Sequence, residues 1–318
     1  PKVFVEDIDR FRQEIELMKS LDHPNIVRLY ETFEDQADIY LVMEYCAGGE
    51  LFDRLLASGS FSELDACRLM NQILAGVAYC HKLRVVHRDL KPENFLFLLK
   101  DPNSPIKLID FGLASRYTPG QLLRTRAGTP YYVSPQVLEG RYGPECDVWS
   151  AGVMMYILLC GYPPFNGPTD TEIMERVRIG DFSFPDAEWS RVSPEAKDLI
   201  KQLLTRHPKY RISAENALKH RWFKEFLEDE HEDAPLTIDI LAKFRRFQGL
   251  SRMKKVALTV IAQQASDIEM DSLKREFMKL DSSQKGTLTP QDIRDGILRS
   301  YANQCAVCQG NRTVAGGG

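Results

Sequence analysis

The sequence predicts an α+β fold in which a small mixed opening of helix and strands leads into a larger helical body, with a second helical segment behind it. Three observations carry this prediction. The apolar spacing shifts between the period of two and the three-and-four pattern of helices; a dense apolar stretch, Ala151 to Cys160, has the length of a buried core helix; and an acidic run ending at Pro235 divides the chain.

Taken in order, Ile8, Phe11, Ile15 and Met18 form the stripe of an amphipathic helix over Asp7 to Leu21, which stops before Asp22-His23-Pro24. Val27 to Tyr30 and Ile39 to Met43 read as two strands joined by the turn at Glu34-Asp35-Gln36. After Gly48-Gly49 the pattern is helical over Leu51 to Leu56 and Glu63 to His81, then gives short strands at Leu96 to Leu99 and Ile106 to Ile109. From Pro144 to Phe223 helical segments alternate with proline breaks such as Tyr162-Pro163-Pro164.

A length of 318 residues allows about two domains at roughly 150 residues each. With 43% hydrophobic and 27% charged residues the chain falls outside the disordered, collagen-like and disulfide-scaffold classes. A net charge of -4 gives no global pull toward nucleic acid or an anionic membrane, so any basic binding surface must be local. Seven scattered cysteines fit a reducing, cytoplasmic setting; Cys305 and Cys308 lack the second pair that a zinc site needs and read as free tail thiols. The longest uncharged run, Val148 to Thr169, is interrupted by Gly161, Pro163, Pro164 and Asn166, so it does not read as a membrane span.

The chemistry concentrates in one ordered series. His87-Arg88-Asp89-Leu90-Lys91-Pro92-Glu93-Asn94 is followed by Asp110-Phe111-Gly112, Gly128-Thr129-Pro130-Tyr131-Tyr132, Ser134-Pro135-Gln136, Asp147-Val148-Trp149-Ser150 and Arg211. One such triplet occurs by accident; several in order across more than a hundred residues do not. The series resembles the catalytic core of a protein kinase. The resemblance implies a kinase-like bilobal fold with an incomplete small lobe and a complete helical large lobe, using ATP and Mg²⁺.

In that resemblance Asp89 accepts the proton of the substrate hydroxyl, Lys91 reaches the transferred phosphoryl, and Asn94 and Asp110 hold Mg²⁺ as hard oxygen ligands. Glu14 stands on the first helix where the family has its ion-pairing glutamate, and Met18 faces a hydrophobic stack with His87 and Phe111. Met43 falls at the gatekeeper position, Glu44-Tyr45-Cys46 at the hinge that meets adenine, and Leu96 beneath the ring. Glu50 touches ribose or, with Glu93, a basic residue upstream of the phosphoacceptor; Lys91 and Glu93 together favour serine/threonine over tyrosine specificity.

Two departures stand out. The family's glycine-rich loop and strand lysine should precede the first helix, and Lys2 is too near Glu14 to serve; the chain opening at Pro1 is expected to be N-terminally truncated and, as written, to show little catalysis. Gln136 stands where the family has a glutamate paired with the arginine matched by Arg211, which forfeits the charge-assisted part of that bond, roughly 1 kcal/mol or more.

Beyond the first body, 1–227, the reading gives an acidic linker over 228–237, a basic amphipathic helix over 238–264, an EF-hand-like unit over 265–300 and a tail over 301–318. The helix sets Ile240, Leu241, Phe244 and Phe247 against Lys243, Arg245, Arg246, Lys254 and Lys255. Asp281 to Asp292 has the length of an EF-hand loop with Gly286 at its sixth position, and Asp281, Ser283, Thr287 and Asp292 are candidate ligands for Ca²⁺. Ser283 replaces an acid, Lys285 puts a cation at a ligand position, and Asp292 is shorter than the usual glutamate, so affinity is expected at about 10⁻⁵ M or weaker.

A kinase core, a basic helix and the start of an EF-hand, in that order, resemble the calcium-dependent protein kinases of plants and protists. That resemblance implies an autoinhibitory helix over the substrate groove, displaced by a calcium-loaded calmodulin-like domain. It also implies protein substrates with basic residues near serine or threonine, no nucleic-acid partner, and membrane contact only through an N-terminal anchor. The alternatives are a non-catalytic kinase-like binding module, a pure calcium sensor and a kinase under separate calmodulin.

Overall fold

The first helix starts five residues before the expected Asp7: α1 runs Lys2–Lys19, with no proline or glycine between Lys2 and Asp7 to stop it. The computed structural model describes residues 2–35, 38–125, 127–227 and, farther on, 277, 278, 281, 286, 288, 289, 291, 292, 294 and 295. The 228–237 linker, the 238–264 helix, Ser283, Lys285, Thr287 and the cysteines of the tail lie outside the described residues. Two compact units, Pro1–Leu227 and Glu228–Gly318, make up the chain.

Ile15, Leu17 and Met18 bury the C-terminal face of α1 and Leu21 is buried just after it, whereas Phe11, expected on the same stripe, is exposed. A tightened last turn, with Ser20 N–H on Leu17 O at 3.0 Å, leads to the buried His23. Burial, and then the charge of Lys107, push the His23 imidazole down to about 4, so the ring is neutral; it lies 5.0 Å from the ring of Tyr79. Asn25 next fixes the chain to the large body, its side-chain amide donating to Gln72 Oε1 and to Ile106 O.

The expected first strand is displaced. β1 is Leu29–Glu34 and pairs antiparallel with β2, Ile39–Met43, from Leu29↔Met43 to Glu34↔Ile39. Ile26 and Val27 pair instead with the strand that precedes Asp110: Val27 N–H donates to Leu108 O at 3.0 Å and Ile26 bridges Leu108 in parallel. Periodicity marks extended residues but does not name their partners.

α2, Leu51–Ser58, and α3, Glu63–Lys82, follow, α3 capped by Ser62 Oγ on the Asp65 amide. Among the described residues three two-stranded ladders form: β1 with β2, β3 (Val85–Val86) with β6 (Ser115–Arg116), and β4 (Phe95–Phe97) with β5 (Ile106–Leu108). Between Val133 and Leu227 lie α4 (Pro135–Glu139), α5 (Glu145–Cys160), α6 (Asp170–Ile179), α7 (Asp186–Trp189), α8 (Pro194–Leu203), α9 (Ala214–Ala217) and α10 (Arg221–Leu227).

α5 is the axis of this body. Every residue from Cys146 to Leu159 is buried, so the apolar stretch does form a core helix, with α3 and α8 packed against it. A Cβ on Gly152 would come within 2.8 Å of Leu203 Cβ, so the close approach of α8 requires glycine there. Trp149 stacks on Phe165 at 5.3 Å, and Trp222 of α10 donates its indole N–H to Glu63 Oε1 at 2.8 Å, fixing the end of the unit to the start of α3. Among the described residues no helix is long and apolar enough to cross a membrane.

Candidate active site

The site grows from one buried carboxylate. Asp147, in the first turn of α5, accepts hydrogen bonds from His87 N (2.9 Å) and Arg88 N (2.8 Å), and pairs with His81 Nε2 (2.9 Å). Burial alone would raise its pKa, but the His81 bond, the histidine charges and the Arg88 amide outweigh it and hold the carboxyl below its usual range. These bonds bend the backbone so sharply that Arg88 adopts φ 73, a left-handed conformation costly to a side-chain-bearing residue. Arg88 then anchors the other way, through Nε to Leu113 O and Nη1 to Tyr142 Oη at 3.3 Å.

Asp89 follows directly and its two oxygens have separate partners. Oδ2 meets Lys91 Nζ at 2.8 Å; Oδ1 accepts the Thr129 hydroxyl at 3.0 Å, and Lys91 Nζ also reaches Thr129 Oγ1 at 3.4 Å. The Asp89 hydrogen bond holds the Lys91 ammonium above its usual pKa, so it stays charged. Asn94 closes the loop by donating to Asp89 O at 2.8 Å. Four residues from a span of 41 in the sequence, Asp89 to Thr129, thus meet around one carboxylate.

Asp110 adopts φ 59 and has an exposed carboxylate whose Oδ1 accepts the Gly112 amide at 3.1 Å. A Cβ on Gly112 would lie 3.2 Å from that oxygen and 3.6 Å from Glu14 Oε2, which places the α1 glutamate beside the same turn. Phe111 is buried, its ring centroid 5.0 Å from that of His87 in an edge-to-face arrangement, and His87 Nε2 reaches Ile109 O at 3.2 Å; burial holds that imidazole's pKa down. Met18 belongs to the same core.

A hinge segment lies between β2 and α2. Ala47 N–H donates to Leu98 O and Gly48 N–H to Phe97 O, each at 2.9 Å, and Glu50 bridges Leu96. A Cβ on Gly48 would fall 2.1 Å from Leu99 O, so no other residue fits this approach. Met43 is exposed at the end of β2, Leu96 is half-buried, and burial, then Glu44, push the Cys46 thiol up. Among the described residues no backbone hydrogen bond engages Glu44 O or Cys46 N. The Glu44 side chain turns inward to Lys107, a partnership sequence spacing does not reveal.

Asp110 and Asn94 provide one exposed carboxylate and one amide oxygen, hard donors suited to Mg²⁺ when phosphate oxygens and water complete the shell. No cluster of three or more His, Cys, Asp or Glu side chains suited to a metal exists among the described residues. Glu93 Oε2 is buried without a hydrogen-bond partner, an acceptor left open near Tyr132, whose pKa it helps raise after burial. In the second unit Asp281 Oδ2 accepts the Gly286 amide at 2.6 Å with Gly286 at φ 70, and Asp292 Oδ2 accepts Thr289 N and Oγ1 at 2.7 and 2.6 Å.

The protein kinase domain family model matches residues 2–223. The chain belongs to the protein kinase family. Among similar curated proteins are calcium-dependent protein kinase 3 of Plasmodium yoelii yoelii, 48% identical over 297 residues, 93% of this chain and 55% of that protein. Calcium-dependent protein kinase 5 of Plasmodium falciparum is 46% identical over 91% of this chain and 51% of its own, and calcium-dependent protein kinase 17 of Arabidopsis thaliana 45% over 92% and 56%. The resemblance to the calcium-dependent kinases therefore holds over nearly the whole chain, which spans about half the length of the curated relatives it matches.

Proposed function

We propose that the protein acts as a serine/threonine kinase, transferring the γ-phosphoryl group of ATP to a protein hydroxyl under calcium control. The observation that carries the reading is the arrangement at Asp89: a buried carboxylate bonded to Lys91 and Thr129, with Asn94 beside it and the exposed Asp110 directly following the Ile109 amide that bonds Asn94 O.

Asp89 accepts the proton and aims the substrate oxygen as that oxygen bonds to the γ-phosphorus and the bond to the bridging oxygen of ADP breaks. Lys91 supplies a positive charge at the phosphoryl oxygens, and Thr129 keeps the carboxylate turned toward its work. Mg²⁺ bound by Asn94 and Asp110 would neutralise phosphate charge. Glu50 and Glu93, both half-buried carboxylates, would suit a basic residue on the substrate peptide, a role for which the basic stripe of residues 238–264 would compete. Thr289 and Asp292 cap each other in the second unit, an arrangement that occupies one Asp292 oxygen and agrees with weak calcium affinity at that loop.

The test is transfer of labelled phosphate from Mg-ATP to a basic serine/threonine peptide by the full-length protein, with calcium or with chelator. Activity that rises with calcium and falls by about 10²-fold or more in Asp89→Asn is expected; Mg-ATP binding without transfer would mark a kinase-like binding module instead.

A further inference from the structure

The Glu44–Lys107 pair is costly to keep. Its charged groups lie 2.7 Å apart with the side chains only 10% and 8% exposed, in a position where an apolar pair of similar volume would serve stability equally well. What an ion pair adds is direction. Glu44 Oε1 takes Lys107, its Oε2 accepts Arg28 N at 3.2 Å, and Arg28 O accepts Glu44 N at 2.8 Å, so the carboxylate is oriented from two sides.

The two residues belong to different parts of the site. Glu44 opens the hinge that runs through Cys46 to Gly48, and that hinge is bound through its backbone to β4. Lys107 is the middle residue of β5, held on one side by Leu108 N–H to Asn25 O at 2.8 Å and, just beyond it, by Ile109 N–H to Asn94 O at 2.9 Å. Asp110 follows at once.

We propose that the Glu44–Lys107 pair is a positioning device that sets the distance between the hinge, where adenine binds, and the strand end that aims Asp110 at the phosphates. Neither residue touches the reacting atoms. The inference rests on the reading of this site as an ATP site, and it adds to that reading the side-chain link that makes adenine binding and metal-phosphate geometry a single arrangement.

The test uses the full-length protein and the double substitution Glu44→Gln with Lys107→Met, which removes both charges and keeps the volume. The measurements are the thermal midpoint, adenosine affinity, kcat with Mg-ATP, and hydrogen exchange at the Ile109 amide relative to the Leu74 amide in α3. The expected result is a near-normal midpoint and adenosine affinity, a fall in kcat of about tenfold or more, and Ile109 exchange faster by a similar factor. Lys107→Arg, which keeps the pair but shifts its charge centre, is expected to lower kcat in the same direction by less, and it decides the matter if the double variant does not fold. Unchanged kcat and unchanged Ile109 exchange would overturn the proposal, as would losses of adenosine and Mg-ATP affinity in equal proportion. Should the unaltered protein bind no nucleotide, the ATP reading fails by itself, and the pair is then judged on Ile109 exchange, with faster exchange supporting it and equal exchange overturning it.

Discussion

Two buried charges meet at the N-terminal end of α5, and they are satisfied in opposite ways. Asp147 is an anion met by two backbone amides and a histidine. Arg211 is a cation, 6% exposed, that donates Nε to Thr205 O, Nη1 to Glu145 O and Nη2 to Arg206 O and to Gln136 Oε1, with Trp149 beneath it at 4.9 Å. Burial pushes that guanidinium down to about 10, whereas the Asp147 carboxyl is held below its ordinary range despite burial. The difference teaches which end is built for precision. Asp147 is met by two amides of the loop that carries Asp89 and by His81 of α3, so its charge fixes that loop; Arg211 gathers carbonyls and one side-chain amide, joining α4 to the helical body.

The largest effect should come from Asp147→Ala. It would strand the His87 and Arg88 amides in the interior and release the left-handed turn, at a cost of about 3 kcal/mol or more in chemical denaturation. The pH dependence has a definite sign. Because the folded-state pKa of Asp147 lies below the unfolded value of 3.8, its contribution is present above that value and is lost as pH falls through the folded one, so Asp147→Asn should flatten the acid limb of the stability curve. An acid limb as steep as that of the unaltered protein would break the comparison.

Gln136→Ala should cost less, about 1–2 kcal/mol, by removing the acceptor of Arg211 Nη2 and the donor to Arg206 O while the other carbonyls remain. Gln136→Glu sharpens the point: it gains charge against Arg211 but loses the 2.6 Å donation to Arg206 O, so the net change in denaturation midpoint should be smaller than for alanine.

Much of this was legible in the residues. The apolar spacing located α3, the uninterrupted Ala151 to Cys160 stretch located the C-terminal part of α5, and the ordered motifs named Asp89, Lys91 and Asn94, which the structure brings together. The kinase resemblance sets Gln136 against Arg211, and the two bond. What could not be read was pairing at long range. Ile26 and Val27 have the composition of a hairpin strand but pair with Leu108, and β1 begins two residues later than alternation suggests. Thr129 and Asp147 stood in recognised motifs, yet nothing in the spacing told that one bonds Asp89 and the other bonds the two residues before it. Glu44 and Lys107, 63 positions apart, carry no local signal at all; only the fold makes them neighbours.

The most direct measurement is a double-mutant cycle on phosphoryl transfer, comparing Asp89→Asn, Asp147→Asn and both together in the full-length protein under single-turnover conditions. If Asp147 acts only by holding the loop that aims Asp89, the double variant should be no slower than Asp89→Asn alone, the non-additivity expected of residues that work as a unit. Losses that multiply across the two sites would contradict that account and give Asp147 a role in the reaction independent of Asp89.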